Sequence, residues 1–125
     1  MQELAQRLLG VWRVQRFDDR DLADEEWRAT YGPSVDGLVT YAAPGWVTVQ
    51  VTDGEDRYDA YFGRFVVIEI ADRDGALSGM VEHHVVASSM PELLTADPTR
   101  PFRISGDRLV LGDERTWRRI CERVG

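Results

Sequence analysis

The chain has 125 residues, enough for one domain with its own hydrophobic core. Its formal net charge of −7 makes nucleic acid and anionic membrane surfaces poor partners. No apolar stretch approaches the roughly 20 residues of a membrane helix, and the N-terminal "MQELAQRLLG" lacks the basic and apolar regions of a signal peptide. We therefore expect a single cytoplasmic domain over residues 1–125, with no nucleic-acid or membrane partner.

Two features of the composition limit the chemistry. Cys121, His83 and His84 are the only cysteine and histidines, too few and too poorly spaced for a structural zinc site. All 15 basic residues are arginine, so no lysine can form a Schiff base. Signatures of a serine-nucleophile elbow, a phosphate-binding loop and a dinucleotide site are missing. The sequence predicts neither a metal nor a cofactor.

The first half of the chain predicts a short helix followed by strands. Leucines at helical spacing indicate a helix over residues 2–9 that ends at Gly10. A strand follows over 11–17, then a charged turn, with 26–32 as an optional short strand. The segments 36–42 and 46–52, joined by "APG", indicate a hairpin.

The second half predicts further strands separated by turns. Residues 53–63 indicate a turn with one helical turn, and 90–101 a loop with one helical turn. The predicted strands cover 64–72, 77–89, 102–105, 108–112 and 115–124. Eight or nine short strands in succession favour a sandwich or an up-and-down barrel.

Motifs at both chain ends favour the barrel. "GVW" (Gly10 to Trp12) opens the first strand and "ERV" places Arg123 on the last. With "GLVTYAAPGWVTVQV", "YFGRFVV", "VEHHVVASSMP" and "RISGDRLVL", the chain resembles the small bacterial lipocalin-like domain family of the calycin superfamily. The resemblance implies an all-β, antiparallel up-and-down β-barrel of 8–9 strands with a short N-terminal helix. It also implies that Trp12 plugs the closed end while Arg123 stacks on its indole.

The sequence departs from that family in two places. The segment before "YFG" is short, which reduces the helix usual there, and Cys121 replaces a bulky aromatic residue, which would enlarge the cavity. Strand alternation, anchored on Trp12 and Arg123, predicts the inward side chains, unless a β-bulge reverses the faces. The residues predicted to point inward are Val14, Arg16, Tyr41, Phe65, Val67, Phe102, Ile104, Trp117, Arg119 and Cys121. On residues 46–52, alternation leaves open whether Thr48 and Gln50 or the three valines point inward.

The two histidines must face opposite sides of one strand. His84 shares its face with Glu82, a charge expected in water, so His84 is predicted to point outward. His83 then points inward with Val81, Val85 and Ala87. Burial would keep His83 neutral and able to accept a proton, which makes it the candidate catalytic acid or base. The alternative is a histidine that only hydrogen-bonds a neighbour.

The predicted ligand is a small hydrophobic molecule inside the barrel. Arg16 or Arg119 would meet an anionic or carbonyl oxygen, unless both lie in water at the rims. The candidate ligand-binding residues are Arg16, Tyr41, Gln50, Phe65, Phe102, Trp117, Arg119 and Cys121, and the structural ones are Gly10, Trp12 and Arg123.

Three functions are consistent with such a barrel, because function belongs to sites rather than to folds. The resemblance implies a cofactor-free cyclase, isomerase or dehydratase acting on a small, polyketide-like substrate in bacterial specialised metabolism. The alternative is a non-catalytic binding or carrier protein for a small apolar ligand. A domain that forms a homodimer through its outer strands is the third.

Overall fold

The computed structural model describes residues 2–125, which fold almost entirely into antiparallel strands. There are two short 3-10 helices. Leu4–Leu8 precedes the first strand, and Pro91–Leu94 lies in the connection between the strands that end at Ser88 and begin at Thr99. The strands are β1 (Gly10–Asp19), β2 (Arg28–Ala29), β3 (Asp36–Ala42), β4 (Trp46–Thr52), β5 (Tyr58–Arg73), β6 (Ala76–Ser88), β7 (Thr99–Ser105), β8 (Arg108–Leu111) and β9 (Trp117–Arg123).

Eight of these strands close into a barrel. From β3 to β9 each strand pairs antiparallel with the next in chain order, while β1 pairs with both β3 and β9. The two-residue β2 pairs only with the end of β1, at Asp18 and Asp19, and stays outside the closed ring. The predicted all-β up-and-down barrel is confirmed, with a 3-10 helix in place of the predicted N-terminal helix. Among residues 2–125, no helix is long and apolar enough to cross a membrane.

The closed end of the barrel joins the two ends of the chain. Arg123 stacks over Trp12 with its guanidinium carbon 4.1 Å from the indole centroid, and Trp12 Nε1 donates to the carbonyl of Leu8 at 2.9 Å. Arg123 also donates to the carbonyl of Leu9 at 2.8 Å. A Cβ at Gly10, whose φ is +133°, would lie 2.5 Å from Arg123 Nη1. The glycine therefore lets the arginine close over the tryptophan, as the motif predicted.

The core fills the barrel interior above Trp12. On β4 the valines Val47 and Val51 are buried while Gln50 is exposed, so the valine alternative is confirmed and the prediction of Gln50 as a ligand-binding residue was wrong. The valine face of β4 points inward because this orientation removes apolar surface from water and leaves the side-chain amide of Gln50 in water. The buried hydrophobic cluster comprises Leu8, Trp12, Val14, Val39, Tyr41, Val47, Phe65, Leu77, Val81, Phe102, Ile104, Leu109, Leu111 and Cys121.

Two β-bulges reverse faces that alternation assigned. The β1–β9 register shifts between Val14 and Arg16, so Arg16 points outward and is exposed, which makes its inward prediction wrong. Outside the barrel it donates to Asp18 at 2.9 Å. A second shift near Gly63 leaves Ala87 exposed, although it too was predicted to point inward.

Two strands, β5 and β7, begin three or more residues before their predicted start. Asp53 Oδ1 accepts hydrogen bonds from the backbone N–H groups of Glu55 and Arg57, which closes a tight turn within a few residues. β5 therefore begins at Tyr58, and the helical turn predicted within 53–63 is not present. β7 begins at Thr99, three residues before the predicted start.

Candidate ligand cavity

A cavity of about 290 Å³ occupies the barrel at the end opposite the Trp12 plug. Its size is near the lower limit for small-molecule sites. Its wall is mostly apolar and includes Val14, Phe17, Val39, Val49, Val51, Ala60, Met90, Leu93, Leu111 and Trp117. The polar members are Asp19, Thr30, Tyr31, Arg57, Asp59, Tyr61, His83, Arg100 and Arg119. A small apolar molecule with a few polar atoms fits this lining.

His83 and Tyr61 line the cavity, whereas Tyr41, predicted to bind the ligand, belongs to the core behind them. His83 lies between the hydroxyl groups of the two tyrosines. The hydroxyl oxygen of Tyr41 is 2.7 Å from His83 Nε2, and that of Tyr61 is 2.9 Å from Nδ1. His83 is only 1% exposed, as is Tyr41. We call these three residues the Tyr–His–Tyr chain. Because both ring nitrogens are already hydrogen-bonded, His83 meets a ligand only through Tyr61.

The register of three strands builds this chain. His83 on β6 lies opposite Phe65 on β5, and Tyr61 shares the inward face of Phe65. Gly63 lies between Tyr61 and Phe65 on β5, and a Cβ at this glycine would be 2.1 Å from the carbonyl oxygen of His84. The absence of that Cβ lets β5 and β6 approach closely enough to bring Tyr61 to the imidazole. Tyr41 reaches the other ring nitrogen from β3.

Burial fixes the protonation state of His83. It lowers the pKa of the imidazole to about 3, with smaller contributions from the charges of Arg100 and His84. His83 is therefore neutral near pH 7, with one N–H group and one unprotonated nitrogen.

The surroundings of Tyr41 then select the tautomer. Within residues 2–125 its hydroxyl has no hydrogen-bond partner other than His83. If Nε2 carried the proton, the Tyr41 O–H would be buried without an acceptor, which costs about 1–3 kcal/mol. Tyr41 therefore donates to Nε2, and Nδ1–H donates to Tyr61. The Tyr61 O–H is left to donate into the cavity.

Burial also keeps both phenols protonated. It raises the pKa of Tyr41 well above its ordinary value, with its hydroxyl shielded from water. It raises the pKa of Tyr61 as well, although the nearby charge of Arg100 acts in the opposite direction. Tyr61 is consequently a neutral hydrogen-bond donor, more readily deprotonated than it would be without Arg100.

Tyr31, Arg57 and Asp59 form a polar cluster at the cavity mouth, where the Arg57 side chain is exposed. Tyr31 donates to Asp59 at 2.6 Å, and burial raises the pKa of Tyr31 to about 12. The hydrogen bond from Tyr31 is the main reason why the pKa of Asp59 is lowered. Arg57 pairs with Asp59 at 3.3 Å and lies over the Tyr31 ring. The Asp59 carboxylate is therefore ionised and already accepts hydrogen bonds from Tyr31 and Arg57.

Arg119 lies in the cavity wall, as predicted, but its charge is already paired. It donates to Asp19 at 3.2 Å and stacks over Phe17 with 3.4 Å from the guanidinium carbon to the ring centroid. Burial lowers the pKa of Arg119, against the influence of Asp19.

The structure separates the other predicted site residues into three groups. Trp117 lines the cavity, as predicted. Phe65, Phe102 and Cys121 point inward but belong to the core, and burial raises the pKa of the Cys121 thiol to about 12. Arg16 and Gln50 lie outside the barrel and contribute nothing to the cavity. His84 points outward, as predicted, and lies 2.9 Å from Glu82.

Sequence reasoning missed Tyr61 and Arg100. Arg100 lies two residues before Phe102, and Tyr61 lies four residues before Phe65. Both phenylalanines were predicted to point inward. Alternation extended by those steps reaches both. They were missed because the strands were predicted to begin after them.

The fold and cavity define a closed up-and-down β-barrel with an internal site, consistent with a lipocalin-like barrel. Comparisons with protein-family models, curated proteins and solved structures find no match. Membership of the lipocalin-like family therefore stays a prediction. Within residues 2–125, no group of three or more His, Cys, Asp or Glu side chains is placed to hold a metal ion.

Proposed function

We propose that this barrel is a cofactor-free enzyme of the cyclase or isomerase type, acting on a small, largely apolar substrate that carries a carbonyl oxygen. The Tyr–His–Tyr chain is the observation that carries the proposal, since it aims one neutral O–H donor into a cavity whose wall is mostly apolar. The resemblance supplies the narrower expectation of a polyketide-like substrate in bacterial specialised metabolism. A cytoplasmic location belongs to the same proposal.

Tyr61 would act on the oxygen where negative charge develops. A prepositioned donor in a site without bulk water stabilises an enolate-like transition state more than it stabilises the neutral carbonyl. The proton lost from the substrate carbon would pass to Asp19 or Asp59, the carboxylates of the cavity lining. His83 is a positioning residue in this scheme, because it holds Tyr61 through Nδ1–H and does not itself touch the substrate. The apolar wall would fold the substrate into a reactive conformation.

A carrier protein is the second candidate, favoured by the state of the cavity carboxylates. Asp19 and Asp59 both accept hydrogen bonds from arginine, and Asp59 also accepts one from Tyr31. The hydrogen bond from Tyr31 lowers the pKa of Asp59, which weakens this carboxylate as a base. If neither accepts a proton from the ligand, the cavity binds without reaction.

Native mass spectrometry of the purified protein, followed by incubation with the captured molecule, separates the two candidates. An enzyme converts the molecule to a product of equal mass, or of lower mass by one water, which chromatography resolves. Tyr61→Phe should lower the rate while His84→Ala, altered on the outer face, retains it. Binding without conversion by the unmodified protein would support the carrier. If the protein captures no small molecule from an extract of the cells in which it naturally occurs, both candidates are contradicted.

A further inference from the structure

Three arginines line the cavity, and Arg100 differs from the other two in forming no salt bridge among the described residues. Arg57 pairs with Asp59 and Arg119 pairs with Asp19. Arg100 has no carboxylate within salt-bridge distance among residues 2–125. Since Asp19 and Asp59 are the only carboxylates in the lining, the cavity wall carries an excess of one positive charge. This excess occurs in a chain whose net charge is −7.

The backbone directs Arg100 into the barrel. On β7 it lies opposite the fully buried Val81 and on the same face as Phe102. Its Nη1 donates to the carbonyl oxygens of Asp97 at 2.7 Å and Thr99 at 3.3 Å. These two bonds hold the guanidinium in place before any ligand enters, which reduces the entropy lost on binding.

Arg100 lines the same cavity as His83 and Tyr61. Its charge contributes to the lowered pKa of His83 and opposes the effect of burial on Tyr61. The exposed Asp97 carboxylate interacts with the charge of Arg100 but forms no salt bridge with it, so the partly buried guanidinium can still pair with an anion in the cavity. A guanidinium beside a phenolic O–H provides several donors directed at one region, which suits a carboxylate.

We propose that Arg100 and Tyr61 form an anion-binding site and that the natural ligand is an apolar molecule bearing a carboxylate. The inference rests on the proposed function and names the class of its substrate. The carboxylate oxygens would accept from the Arg100 guanidinium and the Tyr61 hydroxyl, while the apolar body contacts the valines of the opposite wall.

Isothermal titration calorimetry with two matched probes tests this site. The probes are 2-naphthoate and the neutral 2-acetylnaphthalene, which are similar in size. The unmodified protein should bind 2-naphthoate roughly 10- to 100-fold more tightly, the range for a hydrogen bond to a charged group. Arg100→Met should remove that preference without weakening the neutral probe, and Arg100→Lys should restore part of it.

Arg108→Met is the matched control. Arg108 is exposed on β8, outside the cavity, and this variant should keep the full preference for 2-naphthoate. Thermal unfolding of each variant verifies that it is folded. Two results would overturn the anion site but leave the proposed function standing. One is equal binding of both probes by the unmodified protein, and the other is a preference for 2-naphthoate that persists in Arg100→Met. Binding of neither probe would contradict the proposed function and the anion site together.

Discussion

The hydroxyl of Tyr41 lies 2.7 Å from Nε2 of His83, and this contact sets the direction of both hydrogen bonds in the Tyr–His–Tyr chain. Tyr41 is buried and has no second acceptor within residues 2–125, so it donates to the imidazole. The imidazole donates in turn to Tyr61. A buried group that never touches the ligand thus determines which atom Tyr61 presents to it.

Removal of the imidazole should destabilise the fold. His83→Ala leaves the Tyr41 hydroxyl buried without a partner, and we expect a loss of at least about 1–3 kcal/mol in the free energy of unfolding. His83→Gln should lose less, because an amide can accept from one tyrosine and donate to the other. Urea unfolding measures both. The matched control is His84→Ala on the exposed face, which should stay within about 0.5 kcal/mol of the unmodified protein; equal losses for the two histidines would refute this arrangement.

The stability of the protein should depend on pH through His83. Its pKa is about 3 in the folded protein against 6.5 for an unperturbed histidine. Between these values the unfolded chain binds more protons, so stability is complete above about pH 6.5 and falls as the pH falls toward 3. The contribution from this one group approaches about 1.4 kcal/mol per pH unit. Urea unfolding at several pH values should show a shallower dependence in His83→Gln, and parallel curves would rule out a neutral, buried His83.

The tautomer of His83 gives a separate prediction. Nitrogen-15 NMR of the imidazole should show a protonated Nδ1 and an unprotonated Nε2 near pH 7, because only this form lets Tyr41 donate. Tyr41→Phe should release this constraint and allow the other tautomer. An Nε2–H form in the unmodified protein would mean that Tyr61, rather than Tyr41, donates to the ring.

Two neighbouring residues on β4 test the location of the cavity. Val49 lines it, whereas Gln50 is exposed on the outer face. Val49→Trp should fill the space and abolish binding of 2-acetylnaphthalene, measured by calorimetry. Gln50→Trp adds the same bulk outside and should leave the affinity within about twofold, since surface changes of this kind have small effects. Loss of binding in both variants would place the ligand elsewhere.

The closed end should contribute measurably to stability. Arg123→Met keeps apolar contact with Trp12 but removes the cation–π interaction and the hydrogen bonds to Leu9 and Arg7. We expect a loss of about 1–3 kcal/mol in the free energy of unfolding. The exposed Arg108→Met should change it by less than about 0.5 kcal/mol. If the two variants unfold alike, Arg123 does not help to close the barrel.

The strands could be predicted because their signals are local, whereas the choice of a barrel over a sandwich came from the family resemblance. Apolar alternation and turn residues mark each strand, and the Gly10–Trp12 motif with Arg123 indicates how the ends meet. The inward position of His83 followed from Glu82 alone. Each of these inferences needs only the pattern within one or two strands.

The errors arose where tertiary pairing overrides the local pattern. The bulge between Val14 and Arg16 depends on the register with β9, which is distant in the chain. The early start of β5 depends on pairing with β4 and on the turn around Asp53, and it hid Tyr61. Arg119 was predicted to bind a ligand through its charge, but it forms a salt bridge with Asp19 on the neighbouring strand β1. Such pairings have no signature in a single segment.

The most direct measurement is a crystal structure of the protein with 2-naphthoate bound. The account predicts the naphthalene ring among the cavity valines and a carboxylate oxygen within hydrogen-bond distance of the Tyr61 hydroxyl, with His83 still between Tyr41 and Tyr61. A probe bound on the outer surface, or one that points its carboxylate toward the mouth and its ring toward Tyr61, would contradict the central claim that Tyr61 is the donor for the ligand.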